Sequence, residues 1–535
     1  MASTAQIISE RLYEAGCRHA FGIPGGEILV LIDALESAGI KFILTKHENS
    51  AGFMAEGTHH FTGAPCILIA TVGPGVANAI NVITNCLQDQ VPLIFLTGCI
   101  DPDVSHTYTH QIFDHGKLLA PITKASFTAV DGAIDVIIDK AISIALDDKP
   151  GPVHIDVPIS LAYKDQKITA KTRRVKPALA GPAPSRDLEA ARHVFSKAKK
   201  PIIIAGIDVL HHNAAPVLRN FVKNYSIPTI TTYKAKGVLP EDHPCAMGGA
   251  GLSPKADSIL QEILKQSDLV ILIGYDPIEM RLNWRFPWDL DKQVIEFSAT
   301  PNLHYVHQAK YSFVGCIGSG ILALTNKLTP HKIWPEKEYL EVRKKHKMAF
   351  LSESSWGPTA IIKGARRALP KHGIATVDTG AHRIFLSQAW ECYEPRSLLQ
   401  STGLCTMGVA LPLAIGRKIA EPQRPLIAFS GDAGLEMILG ELAMLRDLKL
   451  AIPIIVFVDA QLALIEMKQR SSQLKTSGVK FGTTDFPGVA EALGGVGITV
   501  QSERELENAI KEAFKRDTYS IIACPLPNHN YDEKI

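Results

Sequence analysis

Two short runs, Leu426 to Phe429 and Pro453 to Phe457, carry no charge and end in Ser430-Gly431-Asp432-Ala433-Gly434 and Val458-Asp459-Ala460-Gln461. Runs this short and this apolar read as strands buried on both faces, the mark of a parallel sheet. Leu435, Ile438, Leu439 and Leu442 recur between them at helical spacing, so one crossover helix packed on the sheet is expected. Both aspartates then stand at carboxyl ends of parallel strands, the edge where open α/β sheets bind ligands. Asp432 also opens a helix, and helix N-termini attract phosphate. Either aspartate alone reads equally well as a cap for orphan backbone N–H groups. As a pair joined by one crossover they point to a divalent ion beside a phosphate. Magnesium suits this, because it takes few protein oxygens and completes its octahedron with phosphate and water.

Similar runs recur in three groups along the 535 residues. The first is Cys66 to Thr71, Val91 to Thr97 and Val153 to Val157; the second is Pro201 to Ala205 and Leu269 to Ile273. The third adds Ile374 to Val377 and Ser520 to Cys524 to the two runs above. Interleaved with helical periodicity, they predict an α/β protein of three doubly wound parallel-sheet domains, over 1–170, 185–330 and 355–535. Arg174 to Pro184 reads as the first linker, and the polar stretch His331 to Lys347 as the passage into the third domain.

A net charge of +2 supplies no broad basic field, so no nucleic-acid partner is expected. Apolar runs such as Ala451 to Val458 fall far short of the roughly 18 to 20 residues of a membrane span. Glu10, Arg11 and Glu14 interrupt the N-terminal stretch, which leaves no signal-peptide core, and a cytoplasmic location is expected. Nine cysteines without a C-x-x-C pair read as buried thiols. Gly73-Pro74-Gly75-Val76-Ala77-Asn78 nearly matches a dinucleotide fingerprint, but Asn78 replaces the third glycine and no ribose-binding acid follows. A tight strand-to-helix turn is the better reading.

Several longer strings carry a resemblance: Phe21-Gly22-Ile23-Pro24-Gly25-Gly26, Lys46-His47-Glu48, Gly73-Pro74-Gly75, Tyr393-Glu394-Pro395-Arg396 and Thr406-Met407-Gly408-Val409-Ala410-Leu411-Pro412. Together, over nearly the full length, the chain resembles the thiamine diphosphate enzymes of the acetolactate synthase family. The resemblance implies pyrimidine-binding, central and diphosphate-binding domains. Glu48 would hydrogen-bond the cofactor's aminopyrimidine and hold or share a proton, which low-dielectric surroundings favour. Met407 would wedge between the two cofactor rings, the backbone near Cys405 would hold the pyrimidine, and Pro24, Gly25 and Gly73 would join the cofactor contacts. Gly380, Ala381, His382, Gly431, Ala433 and Gly434 would lie near the diphosphate. Asp432, Asp459 and the Gln461 carbonyl would bind Mg2+. Two departures stand out: Ala433 where the family commonly has glycine, and Val458 where it has asparagine.

Gly274-Tyr275-Asp276-Pro277-Ile278-Glu279, and His110-Gln111 followed by Pro121-Ile122-Thr123-Lys124, resemble the catabolic members, which need no flavin; FAD is not expected. His110 and Gln111 would stand near the thiazolium, polarising a carbonyl or meeting a carboxylate. Leu464 and Ile465 would line the reaction pocket, and an apolar pocket lacks a ready proton donor, which favours ligation over aldehyde release. Glu466, one position on, would undo that argument if the register shifted. Arg383, Lys468 and Arg470 are cations able to pair with an acceptor carboxylate, though cations on helices are usually solvated, and none is assigned to the site.

The expected reaction decarboxylates pyruvate and joins the two-carbon unit to a second 2-oxo acid, giving 2-acetolactate. Another 2-oxo acid decarboxylase or carboligase is the alternative, and a non-catalytic flavin- or nucleotide-binding module the alternative of a different class. The resemblance implies a homodimer at the least, with a homotetramer as the larger option. Glu48 of one chain would then complete the Asp432 site of another. No membrane partner is expected.

Overall fold

The computed structural model describes residues 2–167, 178, 180–351, 355–532 and 534–535. Positions 174–177 and 179 of the expected first linker, and 168–170 at the end of the first expected domain, lie outside the described residues. Three six-stranded parallel sheets with flanking helices make the expected α/β class. From edge to edge the N-terminal sheet runs Lys41–Leu44, His19–Gly22, Cys66–Ala70, Leu93–Cys99, Val153–Pro158 and Ala125–Thr128. The C-terminal sheet runs Leu398–Leu399, Ile374–Val377, Leu426–Gly431, Pro453–Val458, Ser520–Pro525 and Val496–Thr499. Counted along the chain, both have the order 2-1-3-4-6-5. The central sheet runs Ala246–Ala250, Thr229–Thr232, Pro201–Ala205, Leu269–Ile273, Gln293–Ser298 and Tyr311–Val314, an order of 3-2-1-4-5-6.

Those orders fix where ligands can enter. In an open parallel sheet the crevice lies at the carboxyl edge, between the strands where the winding reverses. For the C-terminal sheet that place is between Ile374–Val377 and Leu426–Gly431, so the loop at Gly380 to His382 and the Gly431-Asp432 turn flank it. For the N-terminal sheet it lies between His19–Gly22 and Cys66–Ala70, which places Ile23-Pro24-Gly25 and the Gly73 turn there.

Each sheet is carried by its inner strands, whose side chains are buried on both faces: Ile202 to Ile204 and Leu269 to Ile273 are all 0% exposed. At about 1.5–3 kcal/mol for each large aliphatic chain removed from water, these strands dominate the cores. They match the expected runs within two residues at either end.

Two expectations need correction. The segment between Asp432 and Asp459 is not one helix packed on the sheet. It is a short helix Asp432–Glu436, a 3-10 turn Leu439–Glu441 and a helix Leu442–Asp447. Gly440 is exposed, Met437 is 65% exposed, and Ile438 and Leu439 are only half-buried, so the apolar stripe is broken midway. The chain forms two compact units. One groups the N-terminal sheet with Gly403–Arg424 and Glu436–Leu450, and the other groups the central and C-terminal sheets. The second half of the expected crossover thus belongs with the N-terminal sheet. The stretch His331 to Lys347 is likewise no mere passage. Trp334 is buried in the central core, donates its indole N–H to Pro201 O at 2.7 Å, and leads into the helix Tyr339–Leu351.

Candidate active site

The acidic pair comes first. Asp432 begins its helix directly after the strand Leu426–Gly431 and is 4% exposed. Its Oδ1 accepts from the Ala433 N–H at 2.8 Å, and its Oδ2 accepts from the N–H groups of Asp459 at 3.0 Å and Ala460 at 2.7 Å. Ala460 takes a left-handed φ of 52°, uncommon for a residue with a Cβ, and the turn that results lets both N–H groups converge on Asp432. The Asp459 carboxyl is pushed up to about 7, first by burial and then by the negative charge of Asp432. Two carboxylates this close cannot both ionise comfortably without a cation. The donor set, two hard carboxylates, fits magnesium rather than a soft metal. Gln461 is buried next in line, with its N–H bonded to Asp459.

Around the pair the backbone is cut close. A Cβ on Gly434 would sit 2.0 Å from Asp378 Oδ2, and one on Gly431 would sit 2.9 Å from His382 Cε1. Gly380 is under the same ring, 2.6 Å from His382 Cε1 to its would-be Cβ. Ala433 is not among the residues of positive φ, so its extra methyl strains no backbone. Val458 ends its strand as a buried apolar side chain. Ala381 opens the helix Ala381–Ala389, and His382 stacks on Phe457 at 5.3 Å. Burial, then the charge of Arg383, pushes the His382 ring down to about 3, so it stays neutral.

Three buried polar atoms here have no hydrogen-bond partner among the described residues: His382 Nε2, Thr379 Oγ1 and the Tyr531 hydroxyl. The Tyr531 hydroxyl is pushed up by burial and then by Asp459 and Asp432, so it stands within their field. Unmet buried polar atoms are costly, and three beside a carboxylate pair fit a polar, anionic ligand with its metal. Nothing in the sequence pattern had pointed to Thr379 or Tyr531.

Glu48 belongs to the other unit. It is 5% exposed and is the first residue of the helix Glu48–Thr62, entered through His47, whose Nδ1 accepts the Asn49 N–H at 3.0 Å. Asn78 Nδ2 donates to Glu48 Oε2 at 3.0 Å. The residue that spoiled the dinucleotide fingerprint is therefore the partner of Glu48. Gly73 has a φ of 72° and caps the short helix Pro74–Asn78, as a tight strand-to-helix turn requires. Glu441 Oε2 accepts the Lys46 N–H at 3.3 Å, and the carboxylate also receives the His47 N–H and the Ser50 hydroxyl. A carboxylate from far along the chain thus caps the helix that carries Glu48, and sequence spacing could not reveal it.

The Glu48 helix packs on the helix Ala410–Ala420 so closely that a Cβ on Gly416 would lie 1.8 Å from Met54 O, and one on Gly57 would lie 2.5 Å from Leu413 O. Cys405, at φ 54°, and half-buried Met407 lead into that second helix, so they and Glu48 lie in one unit. Gly403 N–H and the Thr406 hydroxyl anchor the approach, on Asp89 at 2.7 Å and Asn81 at 2.9 Å. Pro24 is exposed, and Gly25 lies against Thr71, where a Cβ would meet Oγ1 at 2.3 Å. His110 and Gln111 are exposed, with Gln111 at φ 56°.

In the unit of the acidic pair, Leu464 is half-buried and Ile465 is 42% exposed, leaving an apolar surface. Glu466 points elsewhere: both guanidinium contacts from Arg470 are 3.2 Å long, and that pairing holds its carboxyl below the usual range. It is no ready proton donor. Two of the three cations considered for a substrate carboxylate, and left unassigned, are engaged elsewhere. Arg470 is committed to Glu466 and to Asp532 at 2.7 Å, and Arg383 is 2% exposed and bonded to Ser401 O at 2.8 Å, with Glu279 at 3.4 Å. Lys468 is exposed. The cysteines are free thiols, but Cys99, Cys316 and Cys405 are only partly buried, against expectation. No helix among the described residues is long and apolar enough to cross a membrane.

Three family descriptions match in chain order: thiamine pyrophosphate enzyme, N-terminal TPP binding domain, over residues 2–118; the central domain over 188–324; and the C-terminal TPP binding domain over 378–524. Acetolactate synthase of Bacillus subtilis (strain 168) is 29% identical, covering 98% of this chain and 93% of its own. The acetolactate synthase isozyme 1 large subunit of Escherichia coli (strain K12) is 28% identical, over 97% and 93%. The acetolactate synthase large subunit of Buchnera aphidicola from Acyrthosiphon pisum is 27% identical, over 96% and 92%. With all three domains present in order and relatives aligned end to end, the chain belongs to the thiamine pyrophosphate-dependent enzymes and is of the acetolactate synthase type.

Proposed function

We propose that this enzyme, with thiamine diphosphate and Mg2+, decarboxylates pyruvate and joins the two-carbon unit to a second pyruvate, yielding 2-acetolactate. The observation that carries the reading is the pairing of buried Asp432 with half-buried Asp459 at the reversal point of the C-terminal sheet, beside three polar atoms with unmet bonds. Asp432, Asp459 and the Gln461 carbonyl hold the metal; the Gly380 to His382 loop and the Gly431 to Gly434 turn hold the diphosphate. Glu48 holds a proton against the pyrimidine, kept in place by Asn78. Bound thiamine diphosphate supplies a carbon nucleophile that breaks and makes bonds beside a carbonyl. His110 and Gln111 orient the carbonyl or carboxylate of the substrate, and the Leu464-Ile465 surface keeps water and proton donors away, which favours ligation.

The reading needs no flavin. The working assembly is a dimer or larger, which light scattering tests. The reaction is tested by incubating the enzyme with pyruvate, cofactor and magnesium. Acetolactate without acetaldehyde is expected, and absence of pyruvate turnover would remove the proposal. Turnover of another 2-oxo acid only would move it to a different carboligase.

A further inference from the structure

Behind the Gly73 turn lies a buried polar chain with a single sense of direction. The Gly73 N–H donates to His115 Nε2 at 3.2 Å, so that nitrogen must offer its lone pair. The ring proton is then on Nδ1, which faces Asp156 Oδ1 at 2.8 Å. The same oxygen accepts from the Thr97 hydroxyl at 2.5 Å. Thr97 has one proton and has spent it, so at 2.7 Å it accepts from His154 Nε2, leaving His154 Nδ1 to accept from Ser126 Oγ at 2.8 Å. His115, His154 and Asp156 are 3%, 0% and 8% exposed. The shortest contacts set this direction, with His154 Nε2 also 3.4 Å from Asp156 Oδ1 and the Thr97 hydroxyl 3.4 Å from Ile155 O, and the sequence ends on a backbone amide of the candidate site.

That amide governs a close contact. Gly73 is left-handed, and a Cβ there would lie 2.2 Å from Gln111 O, so the Gln111 peptide rests in the space that glycine leaves. Gln111 is itself held at φ 56°, a region sparsely populated by residues with side chains, and persists there only if its surroundings hold it. We propose that His115 is a positioning residue: backed by Asp156, Thr97 and His154, it fixes the Gly73 turn and through it the backbone of Gln111. This rests on the proposed function, in which Gln111 faces the reacting carbonyl. The same three side chains have metal-ligand chemistry and lie close enough to share an ion. The directional bonding argues otherwise, since a metal would need His115 Nδ1 and His154 Nε2 to surrender the protons they donate.

The test uses His115→Leu, which keeps bulk without an acceptor, and His115→Gln, which can return an acceptor near Nε2. In His115→Leu, hydrogen exchange at the Gly73 amide and across 110–112 should accelerate at least tenfold. Carboligation kcat should fall about 10- to 100-fold, as small misplacements of a positioned group do, while exchange at cofactor C2, the work of Glu48, changes less than about twofold. His115→Gln should recover most of both losses. Adding Gly73→Ala to His115→Leu should cost little beyond the worse single variant, because both act through one contact. Unchanged exchange and kcat in a folded His115→Leu, or fully additive losses in the double variant, would overturn the inference. Stoichiometric zinc in the purified enzyme, lost with activity in His154→Ala, would overturn it too. Wild-type enzyme inert to pyruvate would count against the proposed reaction alone, because amide exchange at Gly73 still decides whether His115 holds the turn.

Discussion

Replacing Asp459 by asparagine should make the metal-free protein less sensitive to pH, even as it destroys metal binding. In the folded chain the Asp459 carboxyl sits at about 7 against an ordinary 3.8, raised by burial and then by Asp432. At roughly 1.4 kcal/mol for each tenfold gain in proton affinity, that rise sets the full penalty for ionising this group in the fold at about 4 kcal/mol. The sign follows from proton counting. Between the two values the folded state holds a proton that the unfolded chain has lost, so stability is greatest below about 4 and drains away as pH rises through 7. From pH 5 to pH 8 the expected loss is about 2–3 kcal/mol, part of the penalty having been incurred below pH 5. The asparagine side chain cannot ionise, but its carbonyl still accepts the Gln461 N–H and its amide can donate to Asp432.

Urea unfolding of metal-free wild type and Asp459→Asn at pH 5 and pH 8 measures the difference directly. The two should diverge by that amount, with the variant the more stable at pH 8. Magnesium with thiamine diphosphate should restore the wild type at pH 8 and leave the variant unmoved, because a divalent ion takes over the charge that Asp432 and Asp459 otherwise press against each other. Parallel stability curves for the two proteins, or equal rescue by the ligands, would refute the assignment of a strained acidic pair awaiting a cation.

Glu48→Gln should retain cofactor binding, read by calorimetry, but lose most hydrogen–deuterium exchange at cofactor C2. Glu441→Ala removes the carboxylate that caps the Glu48 helix; a stability loss of about 0.5–2 kcal/mol is expected, together with slower C2 exchange. His382→Leu removes a buried nitrogen with an unmet bond and also the ring's bond to the Asp378 backbone, two effects that oppose, so the cofactor-free protein should stay within about 1 kcal/mol of the wild type while thiamine diphosphate binding weakens in titration.

How much of this was legible depends on the range of the interaction. Strands such as Leu269–Ile273 and Pro453–Val458 announce themselves because burial on both faces demands an unbroken apolar run, a demand that acts locally. Asp432 and Asp459 were readable for the same reason: each is defined by the strand it ends. Short edge strands left no such mark. Ala125–Thr128 and Tyr311–Val314 alternate between half-buried and exposed positions, and Leu398–Leu399 is two residues long. The segment after Asp432 misled because helical spacing records only that a face is apolar, not which sheet it meets. Its first turn stays beside the acidic pair, while Glu436–Leu450 goes with the N-terminal sheet.

The parts of the site that escaped the sequence share one property: each is a polar contact between residues remote in the chain. Asn78 meets Glu48, Glu441 meets the backbone ahead of Glu48, and Tyr531 stands in the field of Asp432 and Asp459. No periodicity encodes such pairs, because a hydrogen bond asks only for a donor and an acceptor brought together by folds that other residues decide. Asn78 shows how this produces false leads as well as omissions. At its place in the Gly73 turn it looked like a failed nucleotide-binding glycine, whereas its side chain is bonded to the Glu48 carboxylate. A departure from one motif can therefore be a requirement of another. The test is whether the substituted side chain has found a buried partner, and by that test Asn78 is part of the site while Val458, with only apolar burial at the end of its strand, is part of the scaffold.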